Sequence, residues 1–180
     1  MIDIETTGAD SQHTNMIQLA AVAFNPEAMT VDPDMFCMSV EMQPGRFWDE
    51  GTRVFWNKMP DLLRGIQVKA QPAGTVMQAF QNWVLAKAPG GERLFWAKPS
   101  SFDFTFVESY FAMTGVASPF HFRTVIDMRS WLRAKLGTFD LDPIVKFEKS
   151  IPFQGVEHDA RFDALHQVSI ILKAQEASRS

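Results

Sequence analysis

The chain has 180 residues and a mass of 20.4 kDa, the size of one domain, and its 46% apolar content with 16 Phe, 5 Trp and 10 Met excludes intrinsic disorder. The net charge of −4 excludes indiscriminate binding of polyanions through a bulk basic surface. That charge is unevenly spread, with nine acids and one base in residues 1–50 against twelve acids and sixteen bases in the remainder, so the early acids need a local reason.

Ile2–Thr6, Met16–Phe24 and Met35–Glu41 are short, apolar-rich and bounded by turn formers, which predicts three strands in a meander. Thr52 is expected to cap a short helix through Lys58. Val76, Met77, Phe80, Trp83 and Val84 recur at helical spacing between Pro72 and Ala88, before Pro89-Gly90-Gly91 ends the run. A strand over Leu94–Ala97 then leads to a helix capped by Ser100 or Ser101 and ending at Gly115. A further strand at Thr124–Ile126 leads to a helix capped by Asp127 and closing near Gly137. The last helix runs from about Ala160 to Ala177. Strands alternating with helices after an opening meander predict an α/β domain with a mixed central sheet flanked by helices. No linker divides residues 1–176, and 177–180 read as a short tail.

The longest nearly apolar stretch, Met16 to Phe24, is nine residues and contains Gln18, far short of the roughly 20 needed for a membrane-spanning helix. No membrane partner is expected. The acidic start lacks the basic and then apolar pattern of a secretory signal, and the single cysteine, Cys37, excludes an intrachain disulfide and a Cys-based zinc site. A cytoplasmic protein whose metal chemistry uses oxygen or imidazole is the expectation.

Asp3 and Glu5 are two apart on the first predicted strand, so both side chains leave the same face. A paired metal site explains such a pair, although Asp-x-Glu facing solvent fits the local pattern as well. The segment Asp3-Ile-Glu-Thr-Thr-Gly8 resembles the first motif of the DEDD superfamily of 3′–5′ exonucleases. Asp103, at the start of a helix after a strand in Leu94-Phe-Trp-Ala-Lys-Pro-Ser-Ser-Phe-Asp103, matches the second motif. His158-Asp-Ala-Arg-Phe-Asp163 matches the third motif of the histidine branch, DEDDh. Thr52 to Pro60, Pro119 to Arg123 and Ile151-Pro-Phe-Gln-Gly155 further resemble the phage exonuclease A and mycobacterial exoribonuclease-like groups. Members commonly have several strand residues before the first Asp, whereas only Met1 and Ile2 precede Asp3 here.

The resemblance implies a ribonuclease H-like fold and two Mg²⁺ or Mn²⁺ ions held by Asp3, Glu5, Asp103 and Asp163, with Asp3 bridging. Hard divalent cations prefer carboxylate oxygen, and two of them about 3.5–4 Å apart suit an in-line phosphoryl displacement. His158 is then the general base that takes a proton from the attacking water. Five residues on a continuous helix place side chains about 140° apart, so His158 must precede the helix that carries Asp163. Gly155 permits a mobile approach of that loop. Asp159 and His166 are alternatives on the Asp163 face, each also readable as a cap or core-edge residue, whereas His13 and His121 read as loop residues.

Thr6, Thr7, Phe104 and Trp56 are the expected substrate contacts, the rings stacking on bases. Phe47, Trp48, Phe55 and Phe102 are further aromatic candidates. The basic stretch Arg123, Arg129, Arg133, Lys135, Lys146 and Lys149 reads equally as a phosphate-steering surface or a solvated helix face. The expected activity is release of nucleoside 5′-monophosphates from single-stranded 3′ ends of DNA or RNA. A ribonuclease H-like endonuclease and a non-catalytic nucleic-acid-binding module are the alternatives. Sugar preference and oligomeric state, monomer or homodimer, are left open.

Overall fold

The computed structural model describes residues 1–179. Strand β1 (Ile2–Thr6) pairs antiparallel with β2 (Met16–Ala21), which pairs antiparallel with β5 (Phe36–Ser39). A small hairpin of β3 (Phe24–Asn25) and β4 (Thr30–Val31) is inserted before β5, which is why the second predicted strand stops at Ala21. Helices α1 (Glu50–Trp56), α2 (Pro60–Gln67) and α3 (Ala73–Lys87) follow. Strand β6 (Phe95–Ala97), helix α4 (Ser100–Thr114), strand β7 (Val125–Asp127), and helices α5 (Met128–Leu136), α6 (Leu141–Ser150) and α7 (Ala160–Ala177) complete the chain. β6 and β7 are parallel and β6 lies beside β1, giving the mixed arrangement expected.

Burial explains the layering. Every residue of β2 is buried, as a central strand covered on both faces requires, whereas β1 alternates. Ile2 and Ile4 face a core built with Val76, Met77 and Phe80 of α3 and Phe106, Val107 and Phe111 of α4. Burial of each large apolar side chain contributes roughly 1.5–3 kcal/mol. On the opposite side α5, α6 and α7 pack Leu132, Ile144, Val168 and Ile171 together with Met1, Val22 and Trp96. Asp3 and Glu5 leave β1 on the face that α7 covers, where the core gives way to polar groups.

Capping corrects two expectations. Asp49, not Thr52, caps α1 by accepting from the Thr52 N–H at 2.8 Å. Neither serine caps α4; its N-cap is Pro99, and the Ser100 N–H is instead met by Asp127 Oδ2 at 3.0 Å. Asp127 also caps α5 through Ser130, as expected. Ala177 is still helical and Ser178 caps α7, so the assigned tail begins as helix end; Ser180 lies outside the described residues.

Candidate active site

A β-bulge between Glu5 and Thr6 breaks the β1–β2 register, since Glu5 faces Gln18 while Thr6 faces Met16. The chain then turns sharply through Thr7 and Gly8. A Cβ on Gly8 would stand 2.6 Å from Thr14 Cγ2 and 2.8 Å from Asp49 Cβ, so only glycine allows this turn to sit against α1. Thr7 donates its hydroxyl to the Phe47 carbonyl and accepts from the Asn15 N–H, both at 2.8 Å. Thr6 donates to the Gly8 carbonyl at 2.8 Å. Both hydroxyls thus serve the turn that ends the ligand-bearing strand.

The carboxylates arrive from three elements. Asp103, 3% exposed, lies in the first turn of α4, and Asp163 lies in the first turn of α7. Gln167, one helical turn beyond Asp163, donates Nε2 to Asp3 Oδ1 at 2.6 Å. Gln18, opposite Glu5 on β2, accepts the Ala160 N–H at 3.0 Å and so fixes the start of α7 against the sheet. Asp159 is the α7 N-cap, accepting from the Arg161 N–H.

His158 precedes α7, as the spacing requires, with φ of +64°, a left-handed backbone unusual for a non-glycine residue. Its N–H donates to Asp163 Oδ2 at 2.8 Å and its ring meets Phe55 edge-on at 4.9 Å between centroids. Donor atoms of Glu5, His158 and Asp163 all lie within 4.8 Å of one another. Gly155, with φ of +115°, presses on the Phe162 ring: a Cβ there would be 2.3 Å from Cδ1. The Gly155 backbone thus lies against the Phe162 ring.

Electrostatics mark the cluster as crowded. Burial, then the charges of Asp103 and Asp163, hold the Asp3 carboxyl well above its ordinary range. Burial and the charges of Asp3, Asp163, Asp159 and Asp103 do the same to Glu5. Burial pushes Asp103 up to about 7, against hydrogen bonds from its own N–H and that of Ile4. Asp163 is raised by burial. Four carboxyls that resist ionising together, with one imidazole and no thiolate among them, form a donor set suited to hard divalent cations.

One expected substrate contact is placed differently. Trp56 is 1% exposed, packs with Ile17 and Ile66, and donates Nε1 to the Thr6 carbonyl at 3.0 Å, so its ring is closed to a base. Phe104 is half-buried and stands edge-on to Phe95 at 5.1 Å, packed on the core. His166 lines a cleft of about 380 Å³ with Lys98, Lys149, Phe153, His158 and Asp163. His13 and His121 lie outside the elements of the site, His13 paired with Asp10 and His121 capping a short 3₁₀ turn.

Residues 1–175 match the 3′-5′ exoribonuclease Rv2179c-like domain. The chain belongs to that family. It therefore carries a 3′–5′ exonuclease domain, with the ribonuclease H-like fold its motifs imply. No curated protein matches it. Among solved structures it is similar to the nuclease domain of 3′hExo, described as a DEDDh family member bound to rAMP, with TM-score 0.74 and 15% identity over 98% of this chain and 90% of that one. It is similar to the cell-death related nuclease CRN-4, with TM-score 0.71 and 22% identity over 98% of this chain, and spans 62% of the length of that nuclease. Pop2p of S. pombe, in a Mg²⁺- and Mn²⁺-bound form, gives TM-score 0.68 and 13% identity over 97% of this chain and 81% of that one.

Proposed function

We propose that this exonuclease removes nucleotides singly from the 3′ end of single-stranded RNA, and less readily of DNA, using two Mg²⁺ or Mn²⁺ ions held by Asp3, Glu5, Asp103 and Asp163, with His158 as general base. The observation that carries this reading is the convergence of Glu5, His158 and Asp163 donor atoms within 4.8 Å, with Asp3 of the same strand held by Gln167 of α7 and its carboxyl pKa raised by burial and by the charges of Asp103 and Asp163. The RNA preference draws on the family and on the rAMP seen with the 3′hExo nuclease domain. The divalent ions draw on the donor set and on the Pop2p form. We place residues 1–176 in one catalytic domain, and the lone Cys37 suits work in a reducing cytosol.

Bound divalent cations supply charge neutralisation for the scissile phosphate and lower the pKa of water. The chain's own part is positional. Asp3 is held by Gln167, Asp163 by the His158 N–H, and the edge of Phe55 sets the imidazole plane. His158 takes a proton from the attacking water as the bond between phosphorus and the 3′ oxygen of the shortened strand breaks, so that the phosphate leaves on the nucleoside 5′-monophosphate and the freed 3′ oxygen is protonated.

The test is digestion of 5′-labelled single-stranded RNA and DNA of one sequence with Mg²⁺ or Mn²⁺. Stepwise shortening from the 3′ end with nucleoside 5′-monophosphate release, abolished by EDTA, is expected. Cutting of a circular single strand would favour an endonuclease, and undiminished hydrolysis after metal removal would overturn the assignment.

A further inference from the structure

We infer that Lys98, at the end of β6, binds a phosphate of the substrate strand beside the one being cut, with Glu148 and Arg129 setting its position. The inference rests on the exonuclease reading above. Lys98 lines the 380 Å³ cleft with His158 and Asp163. It stands close enough that its charge lowers the carboxyl pKa of both Asp3 and Asp163 and that of the His166 ring.

The charge of Lys98 is not consumed by its neighbours. Glu148 is buried, and Arg129 takes both of its oxygens, Nε at 3.0 Å from Oε1 and Nη2 at 2.9 Å from Oε2. Lys98 Nζ comes only to 3.9 Å from Oε2, too far for a hydrogen bond. One carboxylate thus faces two cations and its strong bonds go to one of them. The ammonium keeps its three donors for a group entering the cleft, as a phosphate oxygen would.

The placement is also specific. The Asp127 carboxylate binds the Ser100 N–H two residues beyond Lys98 and caps α5, the helix that carries Arg129. The turn bearing Lys98 and the helix bearing its neighbour's clamp are therefore fastened together. Across the cleft, Lys149 and the Phe153–His166 ring pair, 5.0 Å between centroids, offer a second cation and two flat faces suited to a nucleotide. A chain of net charge −4 needs such local cations to hold a polyanion.

The experiment compares wild type, Lys98→Gln and Lys98→Arg. It reads binding of a labelled single-stranded oligoribonucleotide in EDTA between about 50 and 200 mM KCl, steady-state rates in Mg²⁺, and calorimetric Mn²⁺ titration. For Lys98→Gln the slope of log affinity against log salt should fall by about 0.7, one single-strand phosphate contact. KM should rise about tenfold, the scale of one charge-assisted hydrogen bond, with kcat within a few-fold and Mn²⁺ affinity undiminished. Lys98→Arg should keep the wild-type slope. An unchanged slope and KM in Lys98→Gln, or a slope lowered as much in Lys98→Arg, overturns the inference while leaving the exonuclease reading intact. A wild-type protein that releases no nucleotide from any 3′ end overturns both.

Discussion

The His158 backbone N–H donates to Asp163 Oδ2 at 2.8 Å, so the residue assigned to proton transfer hangs from a residue assigned to metal binding. The two roles should nonetheless separate. His158→Ala keeps this backbone bond, and is expected to lower kcat by about 10²- to 10⁴-fold with Mn²⁺ affinity nearly unchanged. Asp163→Ala removes both a metal ligand and the loop's anchor, so affinity and rate should fall together. Calorimetric Mn²⁺ titration with single-turnover rates distinguishes them; loss of metal binding in His158→Ala would make His158 a ligand.

The crowded carboxyls link stability to pH. An acid whose pKa is raised by folding binds more protons folded than unfolded, from the ordinary range near about 4 up to about 7 for Asp103. Through these carboxyls stability of the metal-free protein falls as pH rises through that window, opposed by the buried Met1 ammonium, whose pKa burial lowers to about 5. Thermal melts in EDTA should give a Tm several degrees higher near pH 5 than near pH 8. Mn²⁺, which binds the ionised cage, should remove or reverse the difference. With the N-terminal amine acetylated to remove its opposing contribution, a metal-free Tm that rises with pH would contradict the burial of Asp3, Glu5 and Asp103.

Gly155 offers a test of the loop. Gly155→Ala must accept a φ of +115° and a 2.3 Å approach to Phe162, and is expected to cost about 1–3 kcal/mol of stability. It should also lower kcat, since His158 follows three residues later. Combining it with Phe162→Ala should recover the steric part and leave the backbone part. Urea unfolding of the single and double variants reads both.

Trp56→Phe removes the Nε1 bond to the Thr6 carbonyl and leaves a buried acceptor unmet. A loss of about 1–3 kcal/mol is expected. KM for a single-stranded oligonucleotide should stay near wild type. A large KM change with unchanged stability would return Trp56 to the substrate face.

The five candidate site residues were legible because each sits in a short motif whose spacing places it: Asp3 and Glu5 on alternate strand positions, His158 just before the helix of Asp163. Phe55 and Trp56 show where that ends. Neighbours on a helix point about 100° apart, so one ring meets His158 and the other the core, and adjacency alone does not say which. Gln167 lay within reach of pattern, being four residues beyond Asp163 on the same face. Lys98 and Gln18 did not, because their partners Glu148 and Ala160 are brought up only by tertiary packing. Helix α6 was hidden by Pro143, which reads as a breaker yet sits in the first turn, where no intrahelical N–H bond is required. Helix α2 begins on Pro60 for the same reason.

Asp3 and Gln167 touch although 164 positions separate them. Synthesis proceeds from β1 to α7, so a growing chain carries Asp3 and Glu5 long before it carries His158 and Asp163. Any fragment halted before α7 lacks Asp163 and the Gln167 that holds Asp3, and so carries only three of the four carboxyls. The four carboxyls of the candidate cage are thus complete only once the last helix has left the ribosome.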